Sequence, residues 1–208
     1  MPAIAQAKAA NVPIIAYDVP VDSPDVTFVS FDNVAVGREM AKAMVKVKDA
    51  GNWAPIEGDA AMAIINLFRE GQMEVIKPLI DKGQIKVVAQ QNIENWKPDL
   101  AQAAMEQILT QTNNKVDAVL AMNDGMSTGV AAALASQKML GIPLSGQDGD
   151  KVVLNRIAKG QQTVTVWKNA NSLGQAAAKA AIEMAEGKPV TGTKPFKTQP
   201  VRRSLPSC

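Results

Sequence analysis

Segments of helical periodicity alternate with short apolar runs almost from end to end of this 208-residue chain. That alternation predicts an α/β protein built on a Rossmann-like parallel sheet. The composition agrees, because 47% apolar against 20% charged residues is enough for a packed core. Polar residues also gather where the apolar runs stop, at Asp18, Gly58-Asp59, Gln90-Gln91, Asn123-Asp124-Gly125, Gln147-Asp148 and Lys168. In parallel α/β sheets ligands bind beyond the carboxyl ends of the strands. Those residues therefore read either as a site for a neutral polar molecule or simply as caps of the helices that follow.

Residues 2–10 read as the end of an amphipathic helix, broken by Asn11 and Pro13. Val12 to Tyr17 is a short apolar strand ending at Asp18. Val26 to Phe31 is a second, across the turn-rich Asp22-Ser23-Pro24-Asp25. Asp32 or Asn33 caps a helix through about Val47, with Val36, Met40, Met44 and Val47 on its apolar face. Strands follow at 53–56, 85–89, 118–121, 143–145 and 163–167, with helices between them near 62–82, 98–111, 126–139 and 150–158. Asp150 stands where it can cap the helix after it. A helix at 171–186 puts Leu173, Ala176, Ala177, Ala180 and Met184 on one face and stops at Gly187. Four prolines and no periodicity after Lys188 predict an extended or disordered tail over 188–208.

No stretch approaches the 18 or so uninterrupted apolar residues of a membrane-spanning helix. The 22 basic residues exceed the 20 acidic ones by two, too small a surplus to imply nucleic acid. It is also local: Lys188, Lys194, Lys197, Arg202 and Arg203 lie in the tail, leaving residues 1–186 with 17 basic against 20 acidic. Histidine is absent, which removes the commonest general base and the commonest metal ligand. The single cysteine, Cys208, cannot close an internal disulfide or a thiol metal cluster. It is either incidental or a link between two chains under oxidising conditions. The first residues lack the basic segment, apolar run and cleavage site of a signal peptide. The chain as written is therefore expected to be a mature or trimmed form, or cytoplasmic.

Gly125-Met126-Ser127-Thr128-Gly129 fits the G-x-S-x-G pattern of a nucleophile elbow and lies between a strand and a helix. A serine nucleophile needs a base, and without histidine the candidates are Lys168 or a carboxylate such as Asp124 or Asp148. The alternative is that small residues begin a close-packed helix. Neither a phosphate-binding loop nor a dinucleotide fingerprint is present. Asp148-Gly149-Asp150-Lys151 has too few carboxylates for a calcium loop. The expectation is no cofactor and no metal. Trp96 stands just after a strand, in Asn92-Ile93-Glu94-Asn95-Trp96-Lys97-Pro98. A flat ring there can stack on the C–H face of a sugar while amides and carboxylates take its hydroxyls, or it can anchor the loop. Trp53 and Trp167 lie within strands and read as core.

In chain order, "AYD", "SFDNVAVG", "LFREGQMEVIKPLIDKGQIKVV", "NNKVDAVLAMND", "SGQDGD" and "GQQTVTVWK" resemble the periplasmic sugar-binding proteins of bacterial ABC transporters, nearest to the D-xylose binders. The resemblance covers residues 2–186. It implies the type I periplasmic binding protein fold, in which two Rossmann-like lobes close on one sugar, with a membrane component of a transporter as partner and a periplasmic location. On this mapping 31–168 is a complete C-terminal lobe, 1–30 and 169–187 belong to a partial N-terminal lobe, and roughly 80 residues of that lobe are missing at about 30 per βαβ step.

The resemblance carries sugar contacts onto particular positions. Trp96 falls where the family stacks the sugar, Asn123 and Asp148 where an amide and a carboxylate hold hydroxyls, and Lys168 on a strand-end lysine. Asp18, at the end of the first strand, is a further candidate ligand contact. Other positions depart from the pattern: Met62, Ala63 and Ile64 stand where acidic and amide residues are expected, and Val19 where an arginine is expected. Three readings follow: a pentose-type binding protein, a small histidine-free hydrolase using Ser127 or a carboxylate, and a remnant that only self-associates. The uncovered half-lobe predicts a homodimer.

Overall fold

A computed structural model describes residues 2–192, which fall into two compact units. One comprises residues 2–31 and 169–192, the other Asp32–Lys168. The tail beyond, with Cys208, Arg202 and Arg203, lies outside the described residues. No helix among the described residues is long and apolar enough to cross a membrane.

The smaller unit holds α1 (Pro2–Ala9), β1 (Ile14–Tyr17), β2 (Val26–Val29) and α7 (Ala170–Ala185). The two strands pair in parallel, Ile14 opposite Val26 and Tyr17 opposite Val29. Its core is thin: only Ala16, Leu173 and Ala180 are buried apolar residues, and α1 buries none. Ala176, expected on the inner face of α7, is exposed. At the end of β1, Asp18 takes a left-handed φ of 60°. The Ser30 hydroxyl donates to its carbonyl at 3.3 Å and to its Oδ1 at 3.1 Å.

The larger unit contains α2 (Asn33–Val47), β3 (Gly51–Glu57), α3 (Ile64–Asp81), β4 (Ile85–Val87), β5 (Gln91–Asn92), α4 (Pro98–Gln111), β6 (Ala118–Ala121), α5 (Asp124–Ser136) and α6 (Lys151–Ala158). Asp32 caps α2 by accepting from the Ala35 N–H at 2.9 Å, which satisfies one of the orphan donors of the first turn. Val36, Met40 and Met44 are buried as expected, but Val47 is exposed because it ends the helix. The core packs Met40 and Met44 against Trp53, Ile76, Ile85 and Leu120. From Trp53 to Glu57 every residue of β3 is buried, as befits a central strand with both faces covered.

All strand pairs are parallel, and β3 lies between its partners. The carbonyls of Trp53 and Glu57 accept from Val88 and Ile93, whereas those of Asn52 and Ile56 accept from Asp117 and Met122. Successive carbonyls of a strand point to opposite edges. So β4 and β5 form one interrupted edge strand, and β6 lies on the other side of β3. The chain therefore leaves β3 for one edge and returns across it to β6, which makes the β3–β6 boundary a topological switch point.

The strands expected at 143–145 and 163–167 are reduced to bridges, Val119 with Leu144 and Gln147 with Val166. Pro143 has no N–H to give, and the Leu144 N–H goes to the Thr163 hydroxyl at 3.3 Å instead of a ladder carbonyl. Trp167, expected in the core, is 70% exposed. Its indole lies over Gly149, where a Cβ would collide with it. Asp150 does occupy the N-cap of α6 but makes no side-chain cap bond.

Candidate functional site

A 3-10 turn at Glu94–Trp96 hangs Trp96 over the carboxyl end of β3. Asn95 and Trp96 have φ of 52° and 58°, a left-handed conformation that Asn tolerates and a bulky ring does not favour. Two anchors hold it. Ile93 is buried and donates its N–H to the Glu57 carbonyl at 2.9 Å. The Asp59 carboxylate accepts from the N–H groups of Asn95 and Ala61, each at 2.8 Å. Those backbone bonds hold the Asp59 carboxyl below its ordinary range, against a smaller opposing effect of burial.

The half-buried indole then meets three neighbours. Its ring lies flush on Gly58, where a Cβ would fall onto it. Its N–H donates to the Met62 sulfur at 3.1 Å, so a position where the resemblance expected a polar residue instead completes the aromatic wall. Phe68 meets it edge-on at 6.4 Å and 85°, a favourable quadrupole arrangement. Lys168, also buried, places its ammonium 5.9 Å from the Phe68 ring centre. Phe68 is thus the wall shared by Trp96 and Lys168.

Beneath this wall the buried Glu57 pairs with the half-buried Arg69, whose Nε donates to Oε1 at 2.9 Å and Nη2 to Oε2. The pairing raises the Arg69 pKa, outweighing desolvation. Both charges are consumed internally. Asn92 Nδ2 ties the pair to the strand end by donating to the Gly58 carbonyl at 2.9 Å.

Across the switch point Asn123 caps α5, its Oδ1 accepting from the Met126 N–H at 2.9 Å. Capping occupies one lone pair and leaves Nδ2 as the donor. The next residue links this end to the following one, since the Asp124 N–H donates to the Gln147 carbonyl at 2.9 Å. Asp148 follows with φ 112°, its N–H donating to the Val166 carbonyl at 3.0 Å. Trp96, Asn123, Asp148 and Lys168 therefore all stand at carboxyl ends within one unit, whereas Asp18 belongs to the other.

Ser127 does not form a nucleophile elbow. It is wholly buried in α5, and its hydroxyl donates to the Asp124 carbonyl at 3.0 Å and lies 3.2–3.3 Å from the Gln162 amide. Arg156 donates to the Thr128 hydroxyl at 2.9 Å beside it. A serine sealed among these groups has neither access nor a base, so the structure gives no support to a hydrolase that uses Ser127. The motif instead serves packing: Gly129 sits where a Cβ would strike the Pro98 carbonyl of α4. Among the described residues no group of three or more acidic or sulfur ligands is placed to hold a metal.

A parallel α/β unit with an aromatic wall and polar groups at the switch point has the layout in which such sheets hold small ligands. The chain belongs to the periplasmic binding protein domain family, whose model matches residues 1–189, and it has the type I fold of that family. It is 41% identical over 186 residues to the D-xylose-binding periplasmic protein of Escherichia coli, covering 88% of this chain and 56% of that protein. To the D-xylose-binding periplasmic protein of Haemophilus influenzae it is 40% identical over 189 residues, covering 90% and 57%. Among solved structures, a carbohydrate transporter solute binding protein from Chloroflexus aurantiacus in complex with D-glucose superposes with a TM-score of 0.85 at 26% identity, covering 95% of this chain and 67% of that one. A periplasmic solute binding protein from Actinobacillus succinogenes with bound D-allose gives 0.82 at 25%, covering 91% and 69%. The chain thus spans little more than half the length of the curated relatives it matches.

Sequence reasoning missed Phe68, the Glu57–Arg69 pair and the anchoring work of Asp59. Asp59 was visible as a strand-end carboxylate. Phe68 carries no signal, because it is one apolar residue on an amphipathic helix and meets Trp96 only through the crossover.

Proposed function

We propose that this chain binds a monosaccharide of the pentose class at the carboxyl ends of β3, β6 and the 143–148 and 163–168 segments. In this reading it acts without catalysis, as a relative of the substrate-binding components of ABC transporters. The supporting observation is Trp96, a half-exposed indole in a disfavoured backbone conformation, braced by Gly58, Met62 and Phe68 beside a charged and amide-bearing rim. Its open face suits the C–H face of a sugar, with Asn123, Asp148 and Lys168 as hydroxyl partners. The relatives' names motivate D-xylose, a periplasmic location and a transporter membrane component as partner. Isothermal titration with D-xylose, L-arabinose and D-glucose tests this. Trp96→Ala is expected to weaken binding at least about tenfold, or about 1.4 kcal/mol. A wild-type chain that binds none of them overturns the reading.

The smaller unit supports a second element, a homodimer through that unit. It exposes Val12, Tyr17, Val19 and Ile182 over a core of three buried apolar residues, and among the described residues each strand of its two-stranded sheet has an open edge. Sedimentation that does not change with protein concentration would remove the dimer.

A further inference from the structure

Asp124 is wholly buried in the first turn of α5, yet it bonds the segments that carry the rim. Its Oδ2 accepts from the Gly149 N–H at 3.0 Å, the Asp150 N–H at 2.8 Å and the Thr165 hydroxyl at 2.8 Å. Its own N–H donates to the Gln147 carbonyl. The two loop amides directly follow Asp148, and Thr165 lies three residues before Lys168. Asn123 is its chain neighbour. Gly149 N–H lies 3.1 Å from the Thr165 hydroxyl as well, closing a triangle of donors on one oxygen. The fit is close, because a Cβ on Gly146 would fall onto Oδ1. Oδ1 itself has no hydrogen-bond partner. An enclosed carboxylate with one unsatisfied oxygen is costly to keep, and here its other oxygen joins three separate chain segments.

We propose that Asp124 is the positioning residue of the sugar site, a clasp that holds the Asp148 loop and the Lys168 segment in register with Asn123. It never touches the ligand. The inference rests on the sugar-binding reading and deepens it: the rim behaves as one preorganised body because a single oxygen gathers its supports. Asp150 occupies the α6 N-cap without a side-chain cap bond, and its backbone N–H donates to this oxygen.

Titration of the full chain with D-xylose by calorimetry separates positioning from mere structural support, because it reports the dissociation constant and the binding stoichiometry independently. Asp124→Ala is expected to raise the dissociation constant at least about tenfold with the stoichiometry unchanged. Asp124→Asn, whose amide oxygen accepts the same three bonds, is expected to recover most of that loss. Thr165→Val removes one bond from the same oxygen and carries the test should Asp124→Ala fail to fold; its expected effect is a severalfold loss. Reduced stoichiometry with an unchanged constant in the folded fraction, or no change in either variant, overturns the clasp. A wild-type chain that binds no sugar overturns the binding reading and the clasp together, whereas tight wild-type binding with an unmoved variant overturns the clasp alone.

Discussion

Two carboxylates of the larger unit show how one residue type does opposite things. Asp59 is solvated and takes two backbone N–H bonds, so its folded pKa is lowered. Its contribution to stability is fully present above the unfolded value near 3.9 and is lost as pH falls through the depressed folded value. The contribution is small, below about 1 kcal/mol for so exposed a group, but it holds the turn that carries Trp96. Urea unfolding at pH 5 and pH 3 should show wild type and Asp59→Asn converging at the lower pH, with a shift in Trp96 fluorescence. A gap that stays constant between the two pH values would refute the anchoring. Burial drives Asp124 the other way, above its ordinary range, against the pull of its three hydrogen bonds. Its ionised form therefore opposes folding once pH rises through the raised value, and a role in positioning is a reason for such a group to be there. The sequence makes Trp96, Asn123, Asp148 and Lys168 legible because each stands where an apolar run stops. It hides Phe68 and the Asp124 bonds, since those depend on which segments the crossovers bring together.

At the scale of elements, α2 against α3 and α4 against α5 approach through missing side chains. Cβ atoms on Gly37 and Gly71 would fall onto the backbone carbonyls of Phe68 and Val34, and one on Gly129 onto that of Pro98. Gly71→Ala gains about 1 kcal/mol in helix propensity. It also forces two backbones apart, and overpacking costs typically about 1–3 kcal/mol or more where the obstacle cannot move. The obstacle here is a backbone carbonyl, so the packing penalty wins. Gly71→Ala should lower the urea midpoint by the equivalent of about 2 kcal/mol; a stabilised variant would show that the helices separate freely. Element types were legible because helical and strand periods differ. The 143–145 and 163–167 segments were over-read: Pro143 already signals a missing donor, and an apolar run cannot report that the Thr163 hydroxyl captures the Leu144 N–H. The opposite error came at Gln91–Asn92, too short and polar to signal a strand, yet paired with β3 through Ile56 and Glu57.

For the whole molecule the unequal cores of the two units matter most. All but Ala16, Leu173 and Ala180 of the buried apolar residues lie between Val36 and Val153, in the larger unit. At roughly 1.5–3 kcal/mol for each fully buried large apolar side chain, Trp53, Phe68, Met40, Leu120 and their neighbours can offset the ordering of their chain. One leucine and two alanines cannot do the same for the smaller unit. Local opening should therefore be much cheaper there. Native-state hydrogen exchange at low protein concentration is expected to show weak protection at Ile14–Tyr17 and Val26–Val29, and strong protection at Gly51–Glu57 and Ala118–Ala121. Self-association through the smaller unit stabilises whatever it covers by mass action. Raising the concentration should then slow exchange in β1 and β2 while leaving β3 and β6 unchanged. D-xylose should do the reverse, because its proposed partners Trp96, Asn123, Asp148 and Lys168 all lie in the larger unit. Equal protection of the four strands at every concentration would mean that the smaller unit draws stability from a source other than a second copy, and the dimer would lose its physical ground.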